Sequence, residues 1–231
     1  MDKVEFKIQL AEKNIQVSCL HSLTQDMCKD YLTDENPDFK VNIIQEDIDA
    51  EQDASYSDDY LETLAIYRKI ATKMLDYDTF LFHGSAIAVD DVAYLFAGIS
   101  GVGKSTHAAL WCKNLESRAR MINDDKPLIK ISDDGLAYVY GTPWDGKHHR
   151  SNNICAPLKA ICMINQADEN KITELDDFTP ILKQIYKPES ADKVIQTLNL
   201  ADKMLRSVKL YNLECRPDIE AAKIAFERMS Q

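Results

Sequence analysis

The chain has 231 residues, with 38 Asp or Glu against 27 Lys or Arg and a net charge of −11. That balance repels a phosphate-rich polymer over most of the surface and argues against nucleic-acid binding. Apolar residues at 45% and charged residues at 28% are the composition of a folded globular protein, and no apolar run approaches the roughly 20 residues that span a bilayer.

Taken in chain order, the N-terminus MDKVEFKIQL alternates polar and apolar residues and has no signal-peptide core, so no membrane contact and a cytoplasmic location are expected. Residues 1–78 read as a lead-in. Its outer pieces, VEFKIQLAEKNIQVSCL and DFKVNII, alternate as strands do, around a helix at SLTQDMCKDYL. The acidic run at residues 46–60 lies in a stretch from Val41 to Tyr67 with no Lys or Arg and reads as a solvated loop. A long amphipathic helix then places Leu61, Leu64, Ala65, Ile66, Ile70 and Met74 on one face, behind a Ser57/Asp58 cap with Glu62 close by.

Residues 79–231 form the predicted core. TFLFHGSAIAV and VAYLFAG read as two apolar strands around Asp90-Asp91, leading into a glycine loop and a helix from Lys104 to about Asn114. A short strand ARMIN follows, then a hairpin of KPLIKIS and LAYVYG around Asp134-Gly135, and a strand at 158–164. Helices are predicted at FTPILKQIY and SADKVIQTLNLADKMLRSV, then a strand KLYNLEC and a last helix opened by Pro217 and Asp218. The six cysteines are far apart with no C-x-x-C pair, which predicts buried reduced thiols and no structural metal.

The glycine loop is the most specific signal. Gly98-Ile99-Ser100-Gly101-Val102-Gly103-Lys104-Ser105 matches G-x-x-x-x-G-K-[ST] in full, between an apolar strand and a helix. Glycines let backbone N–H groups turn around phosphate oxygens, and the helix start adds partial positive charge. Gly98, Ser100, Gly101, Val102, Gly103, Lys104, Ser105 and Thr106 are therefore candidate nucleotide-binding residues. Lys104 would reach the β and γ phosphates of ATP, and Ser105 would ligate Mg²⁺.

Twenty positions later RMINDDKPLI supplies Asp124 and Asp125 at a strand end. That short interval predicts that their strand lies immediately beside the loop strand, and the pair fits one metal-holder and one base, without fixing which is which. His83 is either a core histidine or an active-site one. Trp144, Asp145, Lys147, His148, His149 and Arg150 form a loop rich in cations, where Arg150 is a candidate for neutralising transferred phosphoryl charge. His148 and His149 are adjacent and poorly spaced for a metal, His107 and Trp111 are four apart on the post-loop helix and read as packing or surface residues, and Arg216 reads as part of a helix start.

His83-Gly84, a hairpin, GISGVGKST and an Asp-Asp strand resemble the central block of the HPr kinase/phosphorylase catalytic domain over residues 80–130. That family shares its nucleotide-binding core with phosphoenolpyruvate carboxykinases and includes lasso-peptide kinases. The E-x-R-G-x-G signature of HPr kinases is missing from GTPWDGKHHRSNNICAPLKAICMI. The resemblance implies an α/β fold with a mixed, largely antiparallel sheet around a strand–loop–helix. It also implies His83 near the γ-phosphate or metal, and Mg²⁺-ATP-dependent phosphorylation of a hydroxyl on a peptide, carrier protein or small alcohol, in a chain that forms a homo-oligomer. The alternative is a nucleotide-binding switch or assembly module with slow hydrolysis.

Overall fold

Alternation at the N-terminus resolves into two strands. The computed structural model describes residues 3–51, 55–146 and 149–231. Strands β1 (Val4–Leu10) and β2 (Lys13–Cys19) form an antiparallel hairpin, its turn made by Ala11 and Glu12 at φ 43° and 67°. Strand β3 (Phe39–Asn42) adds parallel to β2 and completes a three-stranded sheet. The helix expected between them is short, α1 (Leu23–Met27) followed by a 3₁₀ turn.

The acidic run differs from its prediction. Part of it is helix α2 (Gln45–Asp49), which buries Ile48 against α3 (Asp58–Met74). Asp47 pairs with Lys69 at 2.5 Å and Glu51 with Arg68 at 3.0 Å. The cations that neutralise the run sit just beyond it, on the next helix, so the acidic residues form a contact face. Gln52, Asp53 and Ala54 of that run lie outside the described residues. Glu62, expected near the α3 cap, instead turns inward, fully buried, and accepts N–H bonds from Leu20 at 2.5 Å and His21 at 2.9 Å.

The second sheet has nine strands, mostly antiparallel with a parallel centre, as the α/β reading anticipated. Its strands are β4 (Thr79–Leu81), β5 (Ser85–Val89), β6 (Val92–Ala97), β7 (Ala119–Asn123), β8 (Leu128–Ile131), β9 (Ala137–Tyr140), β10 (Cys155–Gln166), β11 (Lys171–Glu174) and β12 (Lys209–Cys215). The expected strand TFLFHGSAIAV is broken at His83-Gly84. β4 pairs with β8, whereas β5 pairs with β6 and β7. Gly84 permits the break, because a Cβ there would lie 2.6 Å from the Phe96 carbonyl oxygen.

Strand β10 is longer than predicted. Its first residues pair with β9, and after an irregularity between Leu158 and Ala160 it runs parallel between β6 and β12. Strand β11 was not anticipated, and the expected helix FTPILKQIY shrinks to α5 (Thr179–Leu182), after which Ile185 bridges to Phe82. Helix α6 (Ala191–Ser207) lies against one face of the sheet, through Leu200, Ala201 and Met204. Helices α4 (Lys104–Leu115) and α7 (Ile219–Met229) cover the other, around Trp111 and the alanines 221, 222 and 225. A third cluster holds the N-terminal layer together and also takes in Leu81, Leu128 and Trp144 from the later chain.

Cys19, Cys28, Cys162 and Cys215 are buried, but Cys112 is half-buried and Cys155, at the start of β10, is exposed, which corrects the expectation for those two. Among the described residues, no helix is long and apolar enough to cross a membrane.

Candidate functional site

The sheet order places β5 between β6 and β7, so the Asp-Asp strand is not the immediate neighbour of the loop strand. Chain geometry explains the correction: β6 hairpins onto β5, which occupies that position. Because β5 is antiparallel to both, β6 and β7 run parallel and end at the same edge. β10 and β12 also run parallel to β6. Ligands of α/β sheets gather outside the carboxyl ends of parallel strands, where the loop, Asp124 and Asp125 all emerge.

The glycines of the loop adopt backbone angles that side chains disfavour, with φ of 147° at Gly98, 79° at Gly101 and 108° at Gly103. Gly98 is doubly constrained, since a Cβ would come within 2.9 Å of Val102 and 3.0 Å of the Ile164 carbonyl. Val102 is buried and pins the loop from below, while Ile99, Ser100 and Gly101 are exposed. The first N–H groups of α4, around Ser105 and Thr106, have no carbonyl a turn earlier to bond within the helix. His107 N–H is the first to do so, donating to the Gly103 carbonyl at 2.9 Å.

Lys104 is 92% buried by the loop it closes, and its Nζ donates to the Gly98 and Ile99 carbonyls at 3.0 and 3.2 Å. Burial pulls its pKa below that of an ordinary lysine, opposed by the nearby carboxylate of Asp125. Asp124 and Asp125 both act on this ammonium, which places the pair close to the loop.

The two aspartates have different environments. Asp124 is buried, and its Oδ1 accepts the Ser85 hydroxyl at 3.0 Å. Asp125 is half-buried and faces His83 Nε2 at 3.3 Å and Lys126 Nζ at 3.4 Å. Burial raises its pKa, but the His83 hydrogen bond and the Lys126 charge prevail and hold the carboxyl below its usual range. The carboxylate is thus ionised at neutral pH.

Two positioning residues escaped the sequence reading. Asn123 is fully buried; its Oδ1 accepts the Asp125 and Lys126 N–H groups at 2.9 and 2.6 Å, and its Nδ2 donates to the Thr142 carbonyl at 2.9 Å. It sets the turn that presents the pair. Asn at a strand end before Asp-Asp-Lys-Pro is a recognisable turn signal. Ser85 carried no such signal, since only the sheet register brings it to Asp124.

The cation-rich loop separates into parts. Trp144 is buried against Tyr67 and donates Nε1–H to the Thr63 carbonyl at 3.1 Å. Asp145 is buried and ties the loop together, bonded to His149 Nδ1 at 3.0 Å and the Ser151 hydroxyl at 2.9 Å. Lys147 and His148 lie outside the described residues. Arg150 is exposed. Among the described residues, no group of three His, Cys, Asp or Glu side chains is arranged to hold a metal.

Beside the loop lies a cavity of about 240 Å³, with Val102 and Thr106 on one wall and Ile164, Gln166, Arg216 and Pro217 on the other. Gln166 Nε2 donates to the Val102 carbonyl at 3.4 Å. Arg216, which precedes the start of α7, also lines this cavity. His107 is packing: buried, it accepts Trp111 Nε1–H at 2.9 Å, and burial lowers its pKa to about 4.

No protein-family model matches the chain, and no curated protein sequence does. Among solved structures, 71 chains match. One is the HPr(Ser) kinase/phosphatase from Coxiella burnetii, which aligns over 65% of this chain and 92% of its own with 13% identity and a TM-score of 0.36. The relationship is structural and remote, and the chemistry rests on this chain's own residues.

Proposed function

We propose that this protein is a phosphotransferase that moves the γ-phosphoryl group of Mg²⁺-ATP to a hydroxyl. The observation that carries the reading is the convergence, at one sheet edge, of a glycine loop closed by a buried lysine and a carboxylate pair acting on that lysine. Lys104 would exchange its two carbonyl partners for β and γ phosphate oxygens, aided by backbone N–H groups of the loop and of the first turn of α4. The nucleoside would lie in the cavity between Thr106 and Arg216, outside the ends of β10 and β12.

Mg²⁺ arrives with the nucleotide and takes only one or two protein oxygens in such sites. The Ser105 hydroxyl and the Asp124 carboxylate, with Oδ1 steadied by Ser85, suit that demand. In the transfer step the acceptor oxygen bonds to the γ-phosphorus, the bridging P–O bond breaks and ADP departs. The hydroxyl proton passes to Asp125. A carboxylate depressed by His83 and Lys126 is a weak base, which suffices where the transition state is loose and catalysis is mostly positioning and charge neutralisation. His83 orients that carboxylate, and Arg150 is the cation we assign to the charge on the transferring group.

Lys104→Ala tests the reading. It should abolish measurable transfer and weaken nucleotide binding at least tenfold by titration calorimetry, with an unchanged far-ultraviolet circular dichroism spectrum. Wild-type nucleotide affinity in that variant would sink the proposal.

A further inference from the structure

A second cavity, of about 180 Å³, is lined by His83 and Lys126, the two residues that contact the Asp125 carboxylate. Its floor is apolar, from Phe82 and Ile185, and its rim carries His83, Lys126, Lys183 and Tyr186. In a chain with 38 acidic residues, no Asp or Glu lines it among the described residues. Lys126 leans toward Asp125, its Nζ 3.4 Å from Oδ1. Lys183, which also lines the cavity, is exposed to solvent. Two lysine ammonium groups against one contacting carboxylate, that of Asp125, leave the cavity with a surplus of positive charge beside its apolar lining.

The volume is well below the roughly 300–1,000 Å³ of drug-sized pockets, so it suits a small group and not a peptide segment. Resting on the kinase reading above, we infer that this cavity binds an anionic group, carboxylate or phosphate, of a small acceptor whose hydroxyl lies at Asp125. Lys126 and Lys183 hold the anion from two sides, and His83 serves both the cavity and the base. The geometry makes acceptor choice a matter of charge as well as of reach, because an uncharged alcohol offers no counter-charge to Lys183 and leaves Lys126 with Asp125 alone.

The test is calorimetric titration of the full chain with D-glycerate, glycerol 3-phosphate and glycerol, with a non-hydrolysable Mg²⁺-ATP analogue holding the loop and again without it. At least one charged probe should bind, with glycerol at least tenfold weaker, and the better of the two decides between carboxylate and phosphate. Lys183→Ala should weaken that probe tenfold or more and leave analogue affinity unchanged, and Lys183→Arg should restore most of the loss. Equal binding of glycerol, indifference to Lys183→Ala, or no binding of either charged probe overturns the inference. Failure of the kinase reading shows separately, as absence of analogue binding or its indifference to Lys104→Ala. Charged-probe binding that still depends on Lys183 in that case upholds the cavity as an anion site.

Discussion

Asp124 and Asp125 are neighbours in sequence, yet their surroundings differ. One is buried with a serine hydroxyl on its oxygen; the other is half-exposed between a histidine and a lysine. Asn at either position keeps the shape and removes the charge. Transfer should fall by about a hundredfold or more in each, the scale for losing a positioned base or a metal-holding charge. Asp124→Asn should regain part of its rate at high Mg²⁺, whereas Asp125→Asn should bind Mg²⁺-nucleotide normally and fail in a single-turnover assay. Two variants with near wild-type rates would reduce the pair to a strand-end turn.

At the scale of elements, α4 shows how the loop's foundation depends on proton count. His107 is one turn below the loop, edge-on to Phe96 at 4.9 Å and hydrogen-bonded to Trp111. Its folded pKa of about 4 lies below the ordinary 6.5. Between those values the unfolded chain holds a proton that the folded chain does not, so stability falls as pH drops through this window. The slope is at most about 1.4 kcal/mol per pH unit. His107→Gln, which keeps an acceptor for Trp111 and cannot titrate, should flatten that slope in urea unfolding series run across the window. Identical slopes would show that His107 is not the source.

The same elements show what could be read beforehand. The glycine loop and the helices α3, α4, α6 and α7 were legible because their signals are local: spacing, caps and a rare motif. Pairing was not. That β5 would separate β6 from β7, and that Ser85 would thereby meet Asp124, depends on register between distant strands. The break at His83-Gly84 depends on how close a neighbouring carbonyl comes. The acidic run misled for a related reason, since Arg68 and Lys69, which balance it, come after it in sequence and beside it in space.

Across the whole molecule, the two tryptophans report on two different cores. Trp111 is buried in the cluster between α4, α7 and the large sheet, and Trp144 in the cluster of the N-terminal layer. Because the second cluster also contains Leu81 and Leu128 of the large sheet, separating the layers would expose both sides. Trp111→Phe and Trp144→Phe variants, each leaving one fluorophore, should therefore give coincident unfolding curves in denaturant once each is scaled to its own stability. A Trp144 signal that changes well ahead of circular dichroism would mean that the N-terminal layer melts independently.

The central position of β10 has a consequence for the order in which the molecule becomes competent. The loop at Gly98 is held down by Ile164 and reached by Gln166, 64 residues after Val102, and the cavity's far wall at Arg216 comes later still. During synthesis the glycine loop leaves the ribosome long before the strands that give it a rigid back, and parallel pairings over such separations form slowly. A nascent chain ending before β12 would carry every motif residue and still lack Cys215, Arg216 and Pro217 of the cavity beside the loop. Binding competence would then arrive late and abruptly, as the last strand and helix dock, so that an incomplete polypeptide is silent instead of partly active.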